Sequence, residues 1–405
     1  MKKKVSVGEL QFGVFIAELD RPWTETPFMF QGFVLKDEKQ LEVLKQHCQH
    51  VFIDSEKGLD LPDRKLQTGP LSTGPSVLSS IKDKTRYEEQ TSVDAEMPRA
   101  RAAQGKTEVA VKDMLDSIRA GKAIDAPRIK EAVTSMTDSV VRNPDAMLLL
   151  AKMKEKGERN LDRAVGVSIY MITFGRFLQL PREQLDLLGM LGLLQDVGKM
   201  RVPEEVLNKK EPLSTVEMAL CRSHVEHSIA ILKESAGLPP ELPALAGLHH
   251  ERYDGSGYPK GLKGAQIGLF GVIAGLVDCF DALTHPRPFA EALAPSNALS
   301  MIYGWRDVQF DGPLVEQFIQ CIGIFPVGAI VELNSGEMGI VIAQNLARRL
   351  QPRVMVVLDA KGNRKTPQVV LDLAKDPKVN PDMTYRIKRT LERGSVPIDA
   401  TEFFV

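Results

Sequence analysis

Between about residues 125 and 325 the chain carries a single kind of pattern. Apolar stripes recur at helical spacing and are interrupted by proline, glycine and capping residues. "NPDAMLLLAKMKEKG" ends near Gly157, and "RAVGVSIYMITFGRFLQL" ends before Pro181. "REQLDLLGMLGLLQDVGK" follows. Ser214-Thr215-Val216-Glu217 has the S-x-x-E spacing of a capping box and predicts a helix running to about Gly237. "ELPALAGLHHERY", "IGLFGVIAGLVDCFDAL" and "SNALSMIYGW" complete the set. With about seven or more such segments and no strand-type alternation among them, this region must pack as a helical bundle around one core.

The flanks follow other periods. Residues 1–60 read as a small α/β module: "VSVGELQFGVFIAEL" alternates, "KDEKQLEVLKQHCQH" is an amphipathic helix and "VFID" a short strand. His47 and His50 stand at i and i+3 at the end of that helix. With Val43 and Gln46 upstream on the same face, they read as surface residues rather than metal ligands. Over 61–105, repeated Thr-Gly-Pro steps and then a charged, aromatic-poor stretch predict a partly disordered linker. Helical patterning resumes near Glu108, which gives a helical connector over 106–144 and a helical domain over 145–325. Beyond it, hairpins turning at Asn334-Ser335-Gly336 and Lys361-Gly362-Asn363 predict a β-rich extension over 326–405. The expected fold class is therefore mainly α, with a small α/β module in front and a β-rich extension behind.

A net charge of -1 over 405 residues provides no global field for nucleic acid or anionic lipid. The longest apolar run, Leu269 to Leu283, is broken by Asp278 and Asp281, so no membrane span is expected. Cys48, Cys221, Cys279 and Cys321 lie far apart with no C-x-x-C pair, which predicts free thiols and a cytoplasmic protein.

Ligand-type residues occur at four places in the helical region. They are Asp196 after an apolar helix, His224, the adjacent pair His249-His250, and Asp278. Neutral imidazoles and carboxylates suit iron, manganese or zinc. The pair precedes a loop, Asp254 to Gly264, in which Gly255, Gly257, Gly261 and Gly264 permit close backbone approach. With Tyr258, Lys260 and Lys263 that loop could receive an anionic, aromatic ligand or remain a plain surface turn.

The stretch "HHERYDGSGYPKGL", with "DVGK" upstream and "DCFDALT" downstream, resembles the HD-GYP family over roughly 145–335. "VPEEVLNKKEPLS" extends the match, and residues 1–60 resemble the small domain of unknown function that often precedes HD-GYP domains. The resemblance implies a metal-dependent phosphohydrolase that cleaves the bacterial second messenger cyclic di-GMP. It implies one metal on Asp196, His224, His249 and His250. A second would sit on Asp196, Asp278 and two upstream histidines. Lys199 would stabilise developing phosphorane charge, and Lys209, Tyr258 and Arg287 would contact the nucleotide or shape its loop. Protein partners through the Gly-Tyr-Pro loop are a further implication.

The sequence departs from that pattern where it matters. No histidine lies between residues 51 and 223. Gln195 stands at the position of the family's first dyad histidine, and Arg163 falls at the earlier histidine. A further acidic ligand of three-metal members would fall near Arg159, beside Glu158. A guanidinium cannot ligate. At ~4 Å and an effective dielectric of about 20 it repels a dication by about 8 kcal/mol. Arg163 is expected instead to pair with Asp196 or Asp278, and Gln195 to hydrogen-bond to Asp196 or Arg163. Phe289 and Ala290 replace the Tyr and Lys of the family's R-P-Y-K segment. These changes leave a degenerate family member, with iron or manganese bound as one ion or none, that binds without hydrolysing as one expectation. An active phosphodiesterase with a mononuclear or rearranged site is the other, and a purely structural interaction protein is a third.

Overall fold

The computed structural model describes residues 2–10, 12–21, 26, 33–35, 38–54, 76–153, 159–287, 290–345, 348–391, 396 and 398. At the N-terminus, β1 (Lys2–Ser6), β2 (Phe15–Leu19), β3 (Phe33–Val34) and β4 (His50–Asp54) form an antiparallel sheet in the order β1-β4-β2-β3. Helix α1 (Glu38–His47) precedes β4 in the chain, and Leu44 packs with Val7, Ile16, Leu35 and Val51 in a small separate core. The helix stops earlier than its amphipathic pattern suggests. The Asp20 carboxylate accepts from the backbone N–H groups of Gln49 and His50 at 2.7 and 3.1 Å, which turns the chain into β4. His47 and His50 therefore share no helix face.

The expected linker over 61–105 requires correction. Its Gly-Pro stretch lies outside the described residues, but from Ser76 onward the chain is pinned to the bundle. Asp311 accepts from the Ser76 hydroxyl at 2.8 Å and from the Val77 N–H at 3.2 Å. The Tyr87 hydroxyl donates to the Leu180 carbonyl at 2.8 Å. Helix α2 (Val93–Arg119) then begins well ahead of Glu108. Ser92 caps it, and Glu96, fully buried, accepts two bonds from Arg142 and one from Ser139. Ahead of Glu108 its buried stripe runs through Val93, Glu96, Ala100, Ala103, Gln104 and Thr107, small or polar residues with a single large apolar side chain, so the charged residues between them dominate the composition and disguise a core helix.

The bundle continues through α3 (Ala126–Arg142), α4 (Pro144–Met153), α5 (Arg159–Phe177), α6 (Arg182–Leu194) and the one-turn α7 (Glu204–Leu207). It is completed by α8 (Thr215–Arg222), α9 (His224–Glu234), α10 (Leu242–Ala246), α11 (Gly268–Thr284), α12 (Pro295–Gly304) and α13 (Gly312–Ile322). Phe280 of α11 packs edge-on against Phe318 of α13 at 5.5 Å and against Tyr170 of α5 at 5.5 Å, which locks the three helices together. The stretch Gly264–Thr284 is long and apolar enough to cross a bilayer by length and composition alone, a test that a buried core helix also passes. It lies mostly buried inside the bundle as its central helix.

Three local features set the position of the site. At Gly192 a Cβ would stand 2.5 Å from the Ser168 Cα, so α5 and α6 touch backbone to backbone. At Gly198 a Cβ would run into the His224 carbonyl and Ser228, and the Gly198 N–H donates to the Ser228 hydroxyl at 2.9 Å. The Asp196-Val197-Gly198-Lys199 turn is thereby held against α9. Third, the capping box forms as expected, with Ser214 Oγ accepting from Glu217 N–H and Glu217 Oε2 from Ser214 N–H. The helix it opens breaks at Ser223, however, rather than running to Gly237. Leu220 is left 43% exposed while His224 is buried, so these two do not share one face.

The C-terminal region is β-rich, as expected. Strands β5 (Ile330–Leu333), β6 (Met338–Ala343), β7 (Arg353–Leu358) and β8 (Arg364–Asp372) meander antiparallel and turn at the two anticipated hairpins. After the hairpin of β9 (Lys378–Asn380) and β10 (Met383–Thr384), strand β11 (Ile387–Thr390) returns beside β5. The sheet order is β11-β5-β6-β7-β8. The buried Asp145 carboxylate of α4 accepts from the Gln344 N–H at 2.9 Å and ties this sheet to the bundle.

Candidate metal centre

Asp196, His224, His249 and His250 converge: each offers one ligand atom, and these four atoms lie within 4.8 Å of one another. His224 starts α9, His249 and His250 follow α10, and Asp196 ends the turn after α6. Their hydrogen bonds fix the tautomers. His224 Nδ1 lies 2.7 Å from the Cys221 carbonyl oxygen and His249 Nδ1 2.8 Å from that of Ala246. A carbonyl only accepts, so each Nδ1 carries a proton and each ring turns its Nε2 inward.

Those two Nε2 atoms are 3.4 Å apart, and Asp196 Oδ1 is 3.3 and 3.5 Å from them. Three ligand-type atoms thus face one another in a place where His224 is 2% and His249 0% exposed. A proton on one nitrogen would serve a single pair, whereas a divalent cation serves all three. The separations also match the edge of about 3.4 Å that metal–ligand bonds of about 2.1 Å require. Backbone carbonyls holding the far ring nitrogens are the usual outer support of such ligands. The residues present therefore fit one metal.

The fourth ligand-type position behaves differently. Asp278 Oδ1 accepts from Arg163 Nη2 at 2.6 Å, while Arg163 Nη1 stands 3.3 Å from Asp281 and Nε 3.5 Å from Asp196 Oδ2. Burial pushes the Asp278 carboxyl up, but Arg163 outweighs it and holds the group well below the usual carboxylate range. Asp281 is likewise lowered against its burial by Arg163 and then by His285, whose Nδ1 is 3.0 Å away. The same three carboxylates raise the guanidinium of Arg163 above its ordinary value, against the effect of burial. The other oxygen of Asp196 is claimed by Lys199 at 2.6 Å. Burial would raise Asp196 too, yet the Lys199 ammonium keeps it well below its usual value. A second metal does not fit where Arg163 lies, and Asp278 belongs to an ion-pair cluster rather than to the four-ligand group.

Gln195 does not make the expected bond to Asp196 or Arg163. Among the described residues both atoms of its buried amide lack a hydrogen-bond partner, as do Asp196 Oδ1 and Arg163 Nε. Lys209 is not directed at the four ligands. Its ammonium bonds both oxygens of Glu217 at 2.7 and 2.8 Å, which with the Ser214 cap lowers that carboxyl to about 2. Arg287 lies at a turn bridged to Ala290, and burial, then the positive Arg163, lowers its guanidinium. Phe289 and Glu158 lie outside the described residues, as does the side chain of Arg159. His227 is not among the four ligands, and His285 serves Asp281.

Two residues that the sequence reading did not single out matter here. Asp281 sits three residues after Asp278, the helical spacing that would have revealed it as a partner on the same face. The guanidinium of Arg222 lies over the Tyr258 ring at 4.9 Å, a contact with no signature in the sequence.

Comparison with known proteins agrees with this layout. A family model described as an HD domain matches residues 146–314. A domain of unknown function matches residues 2–129, well past the expected module boundary at 60, and a KOW domain associated with HD domains matches 330–380. A cyclic di-GMP phosphodiesterase of Pseudomonas aeruginosa is 32% identical over 383 residues, covering 93% of this chain and 90% of that protein. The cyclic di-GMP phosphodiesterase response regulator RpfG of Xanthomonas campestris is 36% identical over 42% of this chain and 50% of its own length. A 3'3'-cGAMP-specific phosphodiesterase of Vibrio cholerae is 29% identical over 47% of this chain and 37% of its own. With a helical HD domain, the Gly257-Tyr258-Pro259 loop beside paired histidines, and a relative matched nearly end to end, this chain belongs to the HD-GYP family.

Proposed function

We propose that this protein is a cyclic di-GMP signalling protein of the bacterial cytoplasm that binds one divalent metal, iron or manganese, through Asp196, His224, His249 and His250. Hydrolysis is lost or weakened relative to its relatives. The carrying observation is Arg163, whose guanidinium holds Asp278, Asp281 and one oxygen of Asp196 where a second metal would need them. A bound metal supplies Lewis-acid polarisation of a phosphodiester oxygen. The chain's own residues do the rest. Arg163 places a fixed positive charge beside the metal position, Lys199 holds Asp196 ionised, and Tyr258 stacks over His250 at the rim. Lys209 and Arg287 are the further candidates for contact with the nucleotide, and the Gly-Tyr-Pro loop is the candidate surface for a protein partner. Four free cysteines suit a reducing compartment.

The second reading is an active phosphodiesterase with a mononuclear site. It is favoured by the complete ligand set on the His224 side. Two measurements on the full chain separate these readings: calorimetric titration with cyclic di-GMP, and chromatography of the nucleotide after anaerobic incubation with Fe(II) or Mn(II). Binding without turnover is expected. Linear or mononucleotide product that vanishes in Asp196→Ala establishes the active reading instead. Absence of both metal uptake and nucleotide binding refutes the proposal.

A further inference from the structure

His250 differs from the other two histidines of the centre. The rings of His224 and His249 are each anchored by a carbonyl on Nδ1. The His250 ring is instead stacked on Tyr258, with centroids 4.7 Å apart and planes 24° from parallel. The loop is folded to create that stack. The Tyr258 N–H donates to the His250 carbonyl at 3.1 Å, which folds the chain back on the ligand it follows. Gly257 makes the fold-back possible, because a Cβ there would stand 2.5 Å from both the His250 carbonyl oxygen and the Glu251 Cα. The buried Glu251 carboxylate accepts from the Lys260 and Leu262 N–H groups at 2.8 and 2.9 Å and closes the far side of the loop. The Arg222 guanidinium, from the end of α8, lies over the same Tyr258 ring.

We infer that Tyr258 and Arg222 are positioning residues for the metal: among the described residues the aromatic stack stands where the other two rings have a carbonyl anchor, and it fixes the His250 ring toward the ligand group. The loop then acts on the centre through His250, in addition to any contact with nucleotide. A stacked ring pair restrains ring tilt while leaving Nδ1 and Nε2 open to coordination. A guanidinium over the phenol face holds the stack from the neighbouring helix.

This inference rests on the metal reading of the four-ligand group, and its test keeps the two apart. Full-length protein is titrated with Co(II), following the visible absorption band and the dissociation constant, for wild type, Tyr258→Phe, Tyr258→Ala, Arg222→Ala, His250→Ala and the double variant His250→Ala with Tyr258→Ala. Tyr258→Phe keeps the ring and should bind within about twofold of wild type. Tyr258→Ala should lose on the order of tenfold in affinity, the scale of other ligand-orienting partners. Arg222→Ala should lose about threefold, as expected of one cation–π contact at a partly exposed position. In the His250→Ala background, removal of Tyr258 should have no further effect and leave the absorption band unchanged. Equal affinity of wild type and Tyr258→Ala overturns the inference, as does an undiminished loss without His250. Failure of wild type to bind Co(II) overturns the metal reading itself, and the inference with it.

Discussion

Replacing Arg163 with leucine tests the centre most directly. In the wild type the guanidinium contacts three carboxylates at 2.6, 3.3 and 3.5 Å. Their side chains are only 7%, 2% and 19% exposed, for Asp278, Asp281 and Asp196 respectively, and that of Arg163 is 23% exposed. Each pair contributes about 4 kcal/mol of Coulomb attraction at an effective dielectric of about 20, most of it offset by desolvation. Removing one partner leaves the desolvation uncompensated, and breaking a buried pair costs about 3–5 kcal/mol. For a unit the size of the helical bundle this lowers Tm by on the order of 10 °C. The sign of the pH dependence follows. Asp278 and Asp281 have lowered pKa values, so the stabilisation is full above the unfolded carboxylate range and lost as pH falls through the lowered values.

The second half of the test distinguishes a metal surrogate from an ordinary ion pair. Without Arg163 the three carboxylates form an acidic site, and Mn(II) at about 100 times its Kd should restore about 2.7 kcal/mol. Scanning calorimetry of both proteins with EDTA and with Mn(II) measures this. The leucine variant should gain more from Mn(II) than the wild type does. Equal stability of the two proteins in EDTA, or an equal gain from Mn(II), refutes the assignment of Arg163 as the resident cation.

Three further outcomes are expected. Arg163→His combined with Gln195→His should raise bound metal from one to two ions per chain by elemental analysis after reconstitution; an unchanged ratio would mean these positions do not face a second site. Gly257→Ala puts a methyl group against the backbone of His250 and Glu251, and should weaken Co(II) binding while leaving far-UV circular dichroism unchanged. Burial pushes the Asp145 carboxyl up to about 7, against the bond from Gln344. Stability should therefore decline as pH rises from about 4 to about 7, by at most about 4 kcal/mol from this group, and Asp145→Asn should flatten a plot of Tm against pH in that window.

The sequence by itself determined a good deal. Helical spacing of apolar residues requires a bundle, because such stripes can be buried only against one another, and the change of period after residue 325 marks a sheet. His224, His249, His250 and Asp196 were legible as ligand types, as was the absence of any histidine between 51 and 223. The start of α2 was hidden, since small and polar residues that fill its buried face (Glu96, Ala100, Ala103, Gln104, Thr107) look like linker composition until their neighbours are known. Only the tertiary structure decided how the charges pair. Arg163, Asp196, Asp278 and Asp281 are brought together by the backbone contact of α5 with α6 and by the packing of α11 on α5. Whether Asp278 faces a metal or a guanidinium depends on those close approaches. Electrostatic energy depends on distance and burial, and one-dimensional spacing fixes neither.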